Sequence, residues 1–174
     1  MNCLMKHGKK FYLSYLWGSV LIAQIILVCV FGLVNEVRLK VVTYTGWIIW
    51  GISVILGWLP IFILKRNGGV AKGKSYVHTT ILVDTGLYSI VRHPQYTAGI
   101  LFSLALILIS QSLLITALGL IAILLLYMDI LFADKYLIEK FGDDYKNYMK
   151  KVPRINFLLG FIRILTRRIK QHKK

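Results

Sequence analysis

Residues 93–128 read HPQYTAGILFSLALILISQSLLITALGLIAILLLYM, with no acidic side chain, lysine or arginine along their whole length. A hydrocarbon core of about 30 Å needs roughly 20 helical residues to cross it. This run is long enough for two crossings, and Ser110-Gln111-Ser112 marks a turn between them. Outward toward the N-terminus, residues 41–64 and 11–34 are equally free of charge, and each supplies about one crossing. Four transmembrane helices are therefore expected, near 11–34, 42–64, 95–110 and 113–132, the third being short. The chain reads as an all-α integral membrane protein, a single membrane domain over 1–174. A loop spans 65–94, and a C-terminal amphipathic or interfacial helical segment spans 133–174. The first apolar run exceeds a signal-peptide core and lacks a small-residue cleavage site, so it reads as a retained helix.

The placement of charge gives the expected topology. Of the 22 lysines and arginines, three precede the first helix and two follow it. Five lie between helices two and three and twelve after helix four. The positive-inside rule then puts both termini and the 65–94 loop in the cytoplasm, as an even number of spans requires. The net charge of +15 is read as topology plus attraction to anionic lipid rather than nucleic-acid binding, because the basic residues flank membrane spans. Cys3 and Cys29 form no metal or redox motif, and no metal site is expected.

The polar stretches carry the chemistry. Residues 65–77, with Gly68, Gly69 and Gly73 among four basic residues, read as a solvated, mobile connector without a Walker pattern. Residues 78–96 form the longest polar interruption. There Pro94 suits the first turn of helix three, which sets His93 at a helix N-terminus, where amides and dipole favour an anion. Arg92 adds a fixed positive charge. Two readings stand for this corner: a carboxylate or phosphate site, or a headgroup-level anchor. Asp129 is the one charge in the apolar run of helix four, a functional candidate by its cost in lipid unless it reaches the interface. Beyond it, Tyr136, Leu137, Lys140, Phe141 and Tyr148 keep helical spacing. Gly142 should end or bend that helix. Residues 157–165 are too short to span, and with Arg163, Arg167, Arg168 and Lys170 they read as an interfacial helix with a basic tail.

Two segments together resemble one family. Gly-Leu-Tyr-Ser-Ile-Val-Arg-His-Pro-Gln-Tyr (86–96) is similar to a Gly-x-Tyr…Arg-His-Pro-x-Tyr signature. Asp134, Leu137, Phe141-Gly142, Tyr145, Tyr148 and Val152-Pro153-Arg154 resemble the C-terminal signature of the same proteins. These are the membrane-embedded isoprenylcysteine carboxyl methyltransferases and their phospholipid and small-thiol methyltransferase relatives. The likeness covers roughly residues 60–156. It implies S-adenosylmethionine as methyl donor, bound on the cytoplasmic side by Thr80, Ile81, Leu82, Val83, Tyr88, His93, Pro94, Gln95 and Tyr96. Ala133 stands where relatives carry the first acid of a pair, which leaves Asp134 to take over its contact. Asp129 stands where prenylcysteine-methylating relatives carry an arginine.

That exchange reverses the charge facing an anionic acceptor. The resemblance implies an acceptor of lipid-soluble or lipidated kind: a prenylcysteine-like carboxylate, a lipid amine, a thiol or a hydroxyl. Asp129 favours the last three, which must lose a proton that a carboxylate can take. The competing expectation is a catalytically divergent binding or assembly protein on the same scaffold. A transporter is the weakest reading, because Asp129 alone is charged within a span and no repeat is visible.

Overall fold

A computed structural model describes residues 2–172, with side chains described for 12–166 and for Ile169. Five α-helices follow one another: α1 (Asn2–Cys29), α2 (Lys40–Asn67), α3 (Pro94–Ser110), α4 (Leu113–Lys151) and α5 (Phe157–His172). One 3₁₀ turn, Gly86–Ser89, precedes α3, and no strand occurs among the described residues. Helices α1, α2 and α4 are long and apolar enough to cross a membrane. At 17 residues, α3 is about 25 Å long at 1.5 Å per residue, so it is the shorter arm of the α3–α4 hairpin. The all-α membrane class follows from these lengths and compositions.

The helix ends differ from the boundaries expected from hydropathy. Helix α1 starts at Asn2 and takes in the lysines ahead of the apolar run, then stops at Cys29 rather than at Val34. Its last turn widens: Phe31 N–H reaches Ile26 O and Leu33 N–H reaches Leu27 O. Gly32 adopts φ 60°, a conformation that glycine takes without steric penalty. Helix α2 runs on to Asn67 and contains Pro60. Gly142 (φ 58°, ψ −130°) leaves the helical region and divides α4 into two helical segments across a kink, the second reaching Lys151.

The chain divides into two compact units, Met1–Ile55 with Ala98–Ala133, and Leu56–Thr97 with Asp134–Lys174. In the first unit, buried polar groups join the apolar helices. Gln24 is fully buried; its Nε2 donates to Ile115 O, and its Oε1 accepts from Ser103 Oγ at 2.9 Å. Ser103 Oγ also lies 3.3 Å from Gly119 O. In lipid such cross-helix bonds hold helices together where the hydrophobic effect offers no preference.

The α1–α2 link and the α3–α4 turn cap one another within this unit. Ser110 Oγ donates to Leu33 O, and Asn35 N–H donates to Ser110 O. Gln111 Oε1 accepts from Leu39 N–H while its Nε2 donates to Leu39 O and to Thr43 Oγ1. Gln111 itself takes φ 51°, an uncommon choice for a non-glycine residue that these bonds over-determine.

Of the helix-two glycines, Gly46 makes a close approach and Gly51 faces open space. A Cβ on Gly46 would lie 3.0 Å from Ile109 N and 3.1 Å from Ala105 O on α3. Those are backbone atoms that cannot rotate away. Gly46→Val should therefore destabilise the fold by about 1–3 kcal/mol, the usual cost of overpacking. Thermal unfolding of the detergent-solubilised protein checks this, with Gly51→Val close to wild type as the comparison.

Candidate functional site

The second unit begins at Leu56, within α2. The 65–77 connector, expected to be mobile, is clipped at its start. Thr80 N–H and Ile81 N–H both donate to Gly68 O, and Thr80 Oγ1 donates to Gly69 O. Gly69 takes φ 61°, and a Cβ there would collide with Thr80 Oγ1. Glycine is thus required for the close approach that positions residues 80–83. From there Val83 is buried and Leu82 packs against the cluster of Tyr145, Tyr148 and Val152. Ile81 points outward and is exposed.

Gly86, at φ 60°, opens the 3₁₀ turn that buries Tyr88. The backbone carbonyl of Tyr88 accepts a hydrogen bond from Tyr148 Oη. Next, Arg92 N–H donates to Pro153 O and His93 N–H to Arg154 O. The Arg-His-Pro and Val-Pro-Arg segments therefore lie side by side, joined through their main chains. Pro94 is fully buried at the first position of α3. His93 O accepts from both the amide and the hydroxyl of Thr97.

At the centre stands Asp134, buried with its side chain 5% exposed. Arg92 Nη1 lies 3.0 Å from Oδ1, His93 Nε2 2.7 Å and Tyr145 Oη 2.6 Å from the same oxygen. Arg154 Nε donates to Oδ2 at 2.8 Å. Tyr145 Oη has only one proton to give, and Asp134 at 2.6 Å is the nearer acceptor than His93 Nε2 at 3.4 Å. That assigns the Nε2 proton of His93 to the carboxylate as well.

Burial alone would raise the Asp134 carboxyl. The hydrogen bonds from His93 and Tyr145 and the charges of His93 and Arg92 outweigh it and hold the group well below the usual carboxylate range. Burial, and then the bond to Asp134, pushes the Tyr145 phenol up. It stays a donor at any physiological pH. The Arg92 guanidinium also sits 6.0 Å from the centre of the Tyr145 ring, within reach of a cation–π attraction. The His93 and Tyr96 rings meet edge to face, 5.7 Å apart.

One atom of this network stands out. Arg92 Nε is buried and has no hydrogen-bond partner among the described residues. A buried charged donor left unpaired costs more than a neutral one. Two guanidinium groups meet a single carboxylate here, next in the chain to the N-terminus of α3.

The residues expected from sequence fall into three sets. Asp134 and His93 are hydrogen-bonded to each other, and Tyr96 touches the His93 ring. Pro94, Tyr88, Val83 and Leu82 build the surrounding wall, while Gln95 is half-buried and Thr80 and Ile81 belong to the clipped loop. Asp129 belongs to the first unit, fully buried, its Oδ2 accepting from Ser14 Oγ at 2.8 Å and Trp17 Nε1 at 2.9 Å.

Tyr145, Tyr148 and Arg154 were visible as motif positions but carried no assigned role. The signal was a spacing: 134, 138, 141, 145, 148 and 152 recur every three or four residues. That stripe turns inward, whereas Tyr136 and Lys140 form an outer pair with the ammonium 5.8 Å from the ring centre.

Residues 42–144 match the family model described as phospholipid methyltransferase. Protein-S-isoprenylcysteine O-methyltransferase of Schizosaccharomyces pombe is 29% identical over 99 residues, a match covering 52% of this chain and 42% of that protein. The shared region is thus less than half of that relative's length. No solved structure matches the chain.

Replacing Asp134 by Asn leaves a buried Arg92 without its counter-charge. Breaking a buried ion pair on one side costs about 3–5 kcal/mol, and Asp134→Asn should lower stability on that scale at neutral pH. The folded carboxyl titrates below its unfolded value, so its contribution is fully present above about pH 4 and is lost as pH falls further. Unfolding of both proteins across pH 2–7 should show a wild-type advantage that shrinks below about pH 4. An advantage that grows on acidification contradicts an ionised hub.

Proposed function

The chain belongs to the phospholipid methyltransferase family, and from that membership we propose that it transfers a methyl group from S-adenosylmethionine to a lipid-soluble acceptor in the membrane. The observation that carries the donor half is the corner at Arg92, His93 and the start of α3. The buried, unpartnered Arg92 Nε and the helix N-terminus suit the carboxylate of an amino-acid-bearing donor. Tyr88 and Tyr96 supply aromatic surface in the same unit, suited to adenine or to a sulfonium. When bound, the donor supplies an electrophilic methyl group on a positively charged sulfur.

The protein's own residues then have separate tasks. Asp134 positions Arg92, His93 and Arg154 by neutralising part of their charge and fixing their directions. It is a positioning residue in this reading, and with Ala133 beside it the acidic pair of relatives is reduced to one member. Displacement at a sulfonium depends mainly on alignment of donor and acceptor, which a rigid donor site favours.

The acceptor half rests on Asp129. In S. pombe the relative is named for O-methylation of isoprenylcysteine, whose carboxylate is already ionised and needs no base. An aspartate at position 129 suits instead an acceptor that must be deprotonated: a lipid amine, a thiol or a hydroxyl. Ser14 and Trp17 donate to this carboxylate and orient it. A second reading, a donor-binding protein without turnover, draws on Ala133 and on the commitment of Asp134 to internal partners.

The test uses purified full-length protein in lipid nanodiscs with methyl-labelled S-adenosylmethionine and total membrane lipid. Saturable donor binding and label in the lipid fraction are expected. Asp129→Asn should cut transfer by about hundredfold, the lower range for losing a general base, with donor affinity unchanged. Binding without transfer to lipid, thiol or prenylcysteine acceptors would establish the second reading, and absence of donor binding would overturn both.

A further inference from the structure

In helix α5 one face is packed within the second unit and the opposite face is apolar and open. It starts at a defined cap, with Leu159 N–H on Asn156 Oδ1 and Gly160 N–H on Asn156 O. Gly160 is buried against Ile90, and any Cβ there would collide with the Ile90 carbonyl oxygen. This close approach sets the rotation of the helix about its axis. At 100° per residue the side opposite Gly160 is formed by Leu158, Ile162, Leu165 and Ile169. These are 76%, 58%, 59% and 58% exposed. The stripe cannot turn inward without lifting Gly160 from Ile90.

Charge identifies what covers it. From Ile155 to Lys174 there are six lysines and arginines and no acidic residue. Arg163 is exposed beside the stripe, and the remaining basic residues follow within the same helix and its tail. The apolar part, Phe157–Thr166, is too short to cross a bilayer. A helix with an apolar stripe and a purely basic complement is suited to lie in the plane of an anionic membrane surface, its apolar face sunk to the acyl boundary. The same chain carries membrane-crossing helices, so such a surface is always at hand.

We propose that α5 is a lipid-docking helix. Its Leu158–Ile162–Leu165–Ile169 stripe inserts into the headgroup boundary of an anionic leaflet, and Arg163, with the positive charge of the sequence that follows it, is drawn to the lipid phosphates. The docking is independent of any methyl transfer. It does bear on the candidate site, because α5 grips Ile90 only two residues before Arg92.

The test uses full-length protein with Cys3→Ser and Cys29→Ser, and Ile162→Cys carrying an environment-sensitive fluorophore. Position 162 is exposed, so the label leaves the packing intact. The protein is reconstituted in phosphatidylcholine vesicles with and without about 30% phosphatidylglycerol, a negative surface charge typical of those that attract basic segments. Blue-shifted emission, quenched by shallow spin-labelled lipid, is expected in anionic vesicles. Raising salt from about 50 to 500 mM should cut the shielded fraction severalfold, since the Debye length falls below 5 Å. Arg163→Glu should weaken docking about tenfold or more, since reversing one charge changes the net charge by two units. Water-like emission in both vesicles overturns the proposal. Equal shielding in neutral and anionic vesicles overturns the anionic-lipid assignment. Shielding that rises with protein density at fixed lipid composition overturns it in favour of a second copy of the chain.

Discussion

The second unit depends on one buried carboxylate. Asp134 lies among Arg92, His93, Tyr145 and Arg154, side chains from segments far apart in sequence. A carboxylate at this depth is tolerable only when several donors replace its lost water. The donors arrive on three elements: Arg92 and His93 at the entry to α3, Tyr145 beyond the Gly142 kink in α4, Arg154 on the link to α5. Satisfying one charge therefore fixes three pieces of chain around Asp134. The main-chain pairing of residues 92–93 with 153–154 and the Tyr148 bond to Tyr88 O extend that constraint outward to the wall of the site.

The same corner carries more positive than negative charge. Two guanidinium groups and a helix N-terminus exceed the charge of a single aspartate, and Arg92 Nε retains a buried N–H without a partner among the described residues. The membrane-buried polar groups of the first unit follow the same economy of partners. Gln24 and Ser103 satisfy each other across helices, and Asp129 is met by Ser14 and Trp17. In both units a polar atom removed from water is paired by side chains distant in sequence.

Much of the fold was legible because its signals are local. Charge-free runs of sufficient length announce membrane helices whatever their neighbours, and Pro94 and Gly142 act through their own backbone preferences. The helix ends were less legible. The stop at Cys29 needs Gly32 in a left-handed conformation, and the start at Asn2 extends through lysines that hydropathy counts as outside. Asp134 was singled out by resemblance, but its bonds to Arg92 and Arg154 are products of tertiary folding. The clip of Gly68 and Gly69 onto Thr80 and Ile81 was hidden for a similar reason. Glycine-rich sequence reads as mobility until a close backbone approach shows why no larger residue fits. Phe141 packs with Tyr145 and Tyr148 across the kink at Gly142, a contact that helical spacing alone does not give.

The central claim is that the corner organised by Asp134 receives the carboxylate of the methyl donor. The most direct measurement compares binding of S-adenosylmethionine and its decarboxylated analogue to the purified full-length protein. A charge-assisted hydrogen bond contributes about 1.5–3 kcal/mol, so the decarboxylated compound should bind at least about tenfold more weakly. Equal affinities would contradict the account and would mean that Arg92, His93 and the start of α3 serve the fold alone.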